Sequence, residues 1–196
     1  MKIVCFGDSN TYGYDPRSYF GERLPREERW VDIMAEKLGY IVVNAGENGR
    51  EIPVKEWELD EINRLLIQEH PVDLVVIMLG TNDILQGKSA SAIANAMERF
   101  LRQVPIDPCN IVLIAPPFLQ WGDWVTSLNL INISHQVTEA YRALSKTLGV
   151  QFVDAQEWKP QLAFDGVHLS QKGHAAFADG LANYLKKENE KCYRQE

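Results

Sequence analysis

The chain has little of what marks an extracellular scaffold, a membrane protein or a nucleic-acid binder. Cysteine is scarce: Cys5, Cys109 and Cys192 are odd in number, far apart and without zinc-like spacing. That pattern excludes a disulfide framework and points to a reducing compartment with unbridged thiols. Cys5 lies inside an apolar run and reads as a small buried hydrophobe. Nowhere do 18 apolar residues follow one another, and the N-terminal run is too short for a signal-peptide core. A cytoplasmic protein without stable membrane association is therefore expected. Basic residues are outnumbered, 20 Lys and Arg against 27 Asp and Glu for a formal net charge of -7, which argues against a nucleic-acid partner. There is no internal repeat and no low-complexity tract. The one charge-dense stretch, LKKENEKCYRQE at 185–196, mixes both signs and reads as a helix end or tail.

What is present is ordinary for a globular domain: 196 residues, 45% hydrophobic and 24% charged, without a linker-like break. That length buries a full core, so 1–196 is read as one domain. Five short apolar runs stand out at Ile3–Phe6, Ile41–Asn44, Leu74–Leu79, Ile111–Ala115 and Gln151–Asp154. Helical periodicity fills the intervals. Trp57, Ile62, Leu65 and Leu66 share one face, as do Ile93, Met97, Phe100 and Leu101. Two further sets are Ile133, Val137, Tyr141, Leu144, Leu148 and Phe177, Leu181, Tyr184, Leu185. Residues 28–38 read as another helix, stopped by Gly39. Val- and Ile-rich strands alternating with helices predict an α/β fold with a parallel sheet covered on both faces. Right-handed crossovers make it a three-layer sandwich, most simply in the flavodoxin-like strand order 2-1-3-4-5.

Ligands of such sheets bind outside the carboxyl ends of the strands, so the residues delivered there matter most. The first strand ends in Gly7-Asp8-Ser9, the second in NAGENG with Asn44, Gly46 and Gly49, and the third in LGTND with Gly80, Asn82 and Asp83. The fourth ends in the aromatic stretch APPFLQWGDW. After the fifth comes FDGVHLS with Asp165 and His168. Each piece alone has a plain structural reading: Ser9 as a helix cap, the glycines as turns, Asn82-Asp83 as a loop or capping pair, His168 as a surface or satisfied histidine. Together on one rim they form a working set. A serine hydroxyl needs a base to take its proton, and a histidine does so best when a carboxylate fixes its tautomer. The developing oxyanion needs fixed donors, each worth about 3–4 kcal/mol. The Ser9 and Gly46 N–H groups and the Asn82 side chain are candidates. Asp154 is the alternative acid; Asp165 is preferred because it lies three residues from His168.

FGDSNTYG, NAGENG, LGTND and DGVH resemble, in order, the four sequence blocks of the GDSL/SGNH hydrolases, and they span residues 6–168. The resemblance implies Ser9 as nucleophile, Asp165 and His168 as the other triad members, and Ser9, Gly46 and Asn82 as the oxyanion hole. Arg29-Trp30 and APPFL add similarity to the arylesterase and acyltransferase branch, which favours short acyl groups. Asn10 departs from the leucine of the family's name. That position is not a catalytic one in the family, so little effect on the reaction is expected.

Residues expected around the substrate are Asp8, Asn10, Tyr12, Tyr14, Phe118, Trp121, Trp124 and Val167, with Asp8 also fixing the nucleophile turn. The aromatic loop has three uses in view: an acyl pocket, an interface with a second copy in a homo-oligomer, or plain core. GTNDILQGKS falls short of a phosphate-binding loop because Asn82 stands where the first glycine is needed, and Ser89 is better read as a helix cap. The reading that emerges is a serine esterase acting on small carboxylic esters through an acyl-enzyme, by hydrolysis or transfer, without cofactor or metal. A carbohydrate O-deacetylase and a catalytically silent binding module on the same fold are the alternatives.

Overall fold

Alternation along the first strand sets the layers. In β1 (Lys2–Gly7) Val4 and Phe6 face one side of the sheet and Ile3 and Cys5 the other, and all four are buried. In this computed structural model, which describes residues 1–18 and 20–193 without the side chains of 189–193, four more strands join it. They are β2 (Ile41–Gly46), β3 (Leu74–Met78), β4 (Ile111–Ala115) and β5 (Gln151–Asp154), all parallel, in the order 2-1-3-4-5. The fold is the three-layer α/β/α arrangement expected from the sequence. Gly7 is level with Gly46 on one side and Met78 on the other, so three strand ends reach the rim together.

Helices α3 (Glu56–Gln68), α5 (Ala90–Leu101) and α6 (Leu128–Leu148) cover the Val4/Phe6 face. Helices α2 (Trp30–Leu38) and α7 (Gln171–Tyr193) cover the other. Ser89 caps α5 by accepting from the Ala92 N–H at 3.3 Å. Helix α7 carries the 185–196 stretch onward as helix to Tyr193; residues 194–196 and the Cys192 thiol lie outside what is described. Two rim helices, α1 (Ser9–Tyr12) and α4 (Thr81–Leu85), are too short for periodicity to reveal them. The α3 face differs from its sequence reading. Leu59, Ile62 and Leu66 are buried, whereas Trp57 is 63% exposed with the Lys55 ammonium 5.3 Å from its ring centroid. A residue one position off the i, i+3, i+7 stripe turns outward, however apolar it is.

The end of β3 is anchored by one buried hydrogen bond: Tyr141 on α6 donates its hydroxyl to the Leu79 carbonyl at 3.1 Å. Burial pushes that phenol well above its ordinary pKa, so it stays a donor. Tyr141→Phe leaves the carbonyl without its partner and is expected to lower the unfolding free energy by about 1–2 kcal/mol. Urea titration checks this, and an unchanged midpoint would refute the anchor.

Candidate active site

The rim is built from its shortest helix outward. Asp8 caps α1, its Oδ1 accepting from the Asn10 N–H at 2.9 Å, and thereby turns Ser9 out of β1 into the first helical position. From the far end of the chain, Asp165 Oδ1 accepts from the N–H groups of Val167 and His168 at 2.9 and 3.0 Å. That folds the loop so that the acid and the imidazole meet locally. Gly166 makes the fold possible: its φ is +78°, and an added Cβ would strike the Gln120 carbonyl. The 120–125 loop docks on this turn through Gln120 N–H to Gly166 O at 3.0 Å and Trp124 N–H to Asp165 O at 3.1 Å.

The result is a continuous relay. His168 Nδ1 lies 2.6 Å from Asp165 Oδ2, and His168 Nε2 lies 2.9 Å from Ser9 Oγ. A carboxylate at Nδ1 places the ring proton there, which leaves the Nε2 lone pair to accept from the serine hydroxyl. All three side chains are buried. Burial pushes the Asp165 carboxyl up, but hydrogen bonds from the His168 ring and from the two loop N–H groups outweigh it and hold the group below the usual range. Asp154 is occupied elsewhere, by Arg142 at 2.8 Å and by the Gln156 N–H.

The donors are arranged differently from the sequence reading. Ser9 opens α1, so its N–H has no acceptor within the helix. Asn82 gives one Nδ2 hydrogen to the Arg50 carbonyl at 3.0 Å, and the amide has a second. Gly46 does not fit its expected role, because its N–H is bonded to Asn44 Oδ1 at 3.0 Å. Three residues on, Gly49 has φ +77°, with open space beside it, in the turn closed by Arg50 N–H on Glu47 O. That is the turn Asn82 touches. The Asn48-Gly49 dipeptide was the signal in the sequence. Arg50, which the sequence reading missed, ties this turn to the strands: its guanidinium donates to the carbonyls of Gly7 and Ala45 and lies 4.2 Å from the Phe6 ring centroid.

Of the residues expected around a substrate, two aromatics meet the relay. The Tyr14 ring lies 4.6 Å from the His168 ring, and Trp124 packs edge-on to it at 5.0 Å. Phe118 instead stacks on His135 of α6 at 3.7 Å, and Trp121 is 63% exposed. The Tyr12 ring lies beneath the Arg23 guanidinium. Asp8, Asn10 and Val167 are buried, and their polar groups hold the rim together. Asp83 and Lys88 pair at 2.6 Å, and Asp83 also accepts from the Ile52 N–H.

A serine, a histidine and an aspartate in a hydrogen-bonded relay at the carboxyl rim of a 2-1-3-4-5 sheet are the arrangement of the SGNH-type serine hydrolases. Residues 5–176 match the GDSL-like lipase/acylhydrolase family model, and the chain belongs to that family. Among its relatives is an arylesterase of Vibrio mimicus, 24% identical, with 95% of this chain and 88% of the relative covered. Est24, a carbohydrate acetylesterase of Sinorhizobium meliloti, is 26% identical and superposes with a TM-score of 0.82, covering 95% of this chain and 98% of Est24. The aryl esterase of M. smegmatis, at 24% identity, shares the fold with a TM-score of 0.82 over 95% of this chain and 98% of its own. Among the described residues, no helix is long and apolar enough to cross a membrane.

One carboxylate is held at a cost. Asp8 is fully buried, and burial raises its pKa from 3.8 to about 6, outweighing the hydrogen bonds from the Asn10 N–H and the Thr81 side chain that pull it down. A group that binds its proton more tightly when folded contributes fully below its unfolded pKa, and the contribution is lost as pH rises through the folded pKa. The ionised fold is thus strained by on the order of 3 kcal/mol at neutral pH. Asp8→Asn keeps the acceptor for the Asn10 N–H and removes the charge. It is expected to raise the unfolding free energy at pH 8, with the gain shrinking through pH 6 and absent below pH 4. Urea titrations at the three pH values test this, and a gain independent of pH would refute the charge argument.

Proposed function

We propose that the protein is a serine carboxyl-ester hydrolase that works on small esters through an acyl-enzyme. The observation that carries the reading is the relay of Ser9, His168 and Asp165 at 2.9 and 2.6 Å. Ser9 Oγ attacks the ester carbonyl while His168 Nε2 takes its proton, and ionised Asp165 stabilises the imidazolium. The tetrahedral oxyanion is received by the Ser9 N–H and by the remaining Asn82 Nδ2 hydrogen. The third donor is assigned to Gly49 in place of Gly46, whose N–H is occupied. Collapse breaks the bond to the alcohol, which leaves with the proton from His168. Water, deprotonated by the same nitrogen, then releases the acid from Ser9; an alcohol in its place gives acyl transfer.

Short acyl groups are the reading for a site whose base is flanked by the Tyr14 and Trp124 rings. A carbohydrate O-deacetylase is the second reading, favoured by the likeness to Est24 and by these two rings, which can pack against the apolar face of a sugar. The complete relay counts against a silent binding module. The chain is read as a single domain, because both apolar layers share one sheet. A cytoplasmic setting agrees with Cys5 as a buried, unbridged thiol. Trp121, 63% exposed on the aromatic loop, supports the reading of that loop as an interface with a second copy.

Intact mass after exposure to a fluorophosphonate is expected to show one adduct on the wild type and none on Ser9→Ala. An ester panel then ranks p-nitrophenyl acetate against acetylated sugars. No adduct on folded wild type would sink the proposal. Asn82→Ala is expected to lower kcat about 10²–10³-fold with KM little changed; a loss under about threefold would remove the amide from the oxyanion hole.

A further inference from the structure

The Ser9–His168 contact joins segments 159 residues apart, and something must hold the two at hydrogen-bonding distance. Asp165 cannot do so. Its carboxylate bonds reach only two and three residues along its own loop, so they shape the loop and say nothing of where it sits relative to Ser9. The residue after the nucleophile does reach across. Asn10 Nδ2 donates to the Val167 carbonyl at 3.2 Å, and Asn10 Oδ1 accepts from the Leu169 N–H at 2.7 Å. One amide therefore grips the chain on both sides of His168. Asn10 is itself fixed, its N–H on Asp8 Oδ1 and its carbonyl accepting from the Trp30 indole at 2.9 Å. It is 2% exposed, so no water replaces either bond. An apolar side chain of similar size fills the volume but leaves a carbonyl and an N–H buried without partners, and the loop must shift to satisfy them.

We propose that Asn10 is a positioning residue that sets the distance and angle between His168 and Ser9, by clamping the backbone of the histidine loop to the nucleophile helix. This reverses the small effect expected for that position from its place in the motif. The proposal rests on Ser9 and His168 acting as nucleophile and base.

The test compares wild type, Asn10→Ala, Asn10→Asp and Trp30→Phe on p-nitrophenyl acetate. Asn10→Asp keeps the shape and the acceptor for Leu169 but sets a carboxylate oxygen against the Val167 carbonyl, so it decides the matter if Asn10→Ala does not fold. Both Asn10 variants are expected to lose about 10- to 100-fold in kcat, the scale of an ångström's misplacement, with KM within about threefold. Fluorophosphonate labelling of Ser9 should slow in parallel. The far-downfield His168 Nδ1 proton should persist in the NMR spectrum, because its acceptor lies on the same loop. Trp30→Phe removes one tie on Asn10 but leaves both bonds of the amide grip in place, so it should lose clearly less kcat than Asn10→Asp. The clamp is overturned if a folded Asn10 variant keeps kcat and labelling near wild type. It is equally overturned if activity and the downfield proton vanish together in proportion to the unfolded fraction, or if Trp30→Phe loses as much as Asn10→Asp. A wild type that neither hydrolyses esters nor takes the label overturns the reading of the site as well, whereas an active wild type with unaffected variants overturns the clamp alone.

Discussion

A serine hydroxyl becomes a nucleophile only while a base stands within hydrogen-bonding distance, and here that base comes from the opposite end of the chain. The parallel sheet supplies most of the solution. Because Gly7, Gly46 and Met78 share one register, the segments that follow β1, β2 and β3 start from the same level. The remaining ångströms are set by polar side chains that hold main chain: Asp8 on α1, Asp165 on the histidine loop, Arg50 on the ends of β1 and β2, and Asn10 between nucleophile and base. Hydrophobic burial brings these segments together without direction. Hydrogen bonds give the direction.

The two carboxylates of the site show how environment divides their roles. Asp165 and Asp8 are both buried and both accept backbone N–H groups. Asp165 also receives the His168 ring proton and stays below the usual carboxylate range, while burial lifts Asp8, which has no charged partner in hydrogen-bond contact, to about 6. An acid that must remain ionised opposite an imidazolium is the one given a charge-assisted partner. His174 illustrates the opposite limit. It accepts the Trp30 N–H through Nδ1, and burial drives its pKa to about 3, so it remains a neutral brace between α7 and α2.

Much of this was legible in the sequence because periodicity and motif order act together. Five apolar runs separated by amphipathic stretches allow few sheet topologies, and glycine-, serine- and asparagine-rich strand ends fall on one rim. What escaped was set by single bond directions. Gly46 and Gly49 both sit in NAGENG, and the Asn44 side chain, folded back on the Gly46 N–H, sets them apart. Phe118, Trp121 and Trp124 read alike as aromatic loop residues, yet the bonds that dock 120–125 on the Asp165 turn bring Trp124 alone of the three against His168. The Asn10 amide carries no periodic signature at all, since its partners lie more than 150 residues away.

The position of His168 also bears on which esters suit the site. The same nitrogen that takes the proton from Ser9 must return it to the departing alcohol, so the leaving group must stand next to the imidazole, against which Tyr14 and Trp124 pack. A phenol departs readily as its anion and gains little from that proton. A sugar hydroxyl is a far poorer leaving group and depends on the proton being delivered in line. Rings flanking the histidine suit either alcohol, one by stacking and the other by packing against the C–H face of a pyranose. What separates the two substrates is therefore how firmly His168 is held, and looseness there penalises the alkyl ester before the aryl one. The grip on the histidine loop would in this sense act on specificity: loosening it should cost an unactivated alkyl ester more than an activated aryl ester.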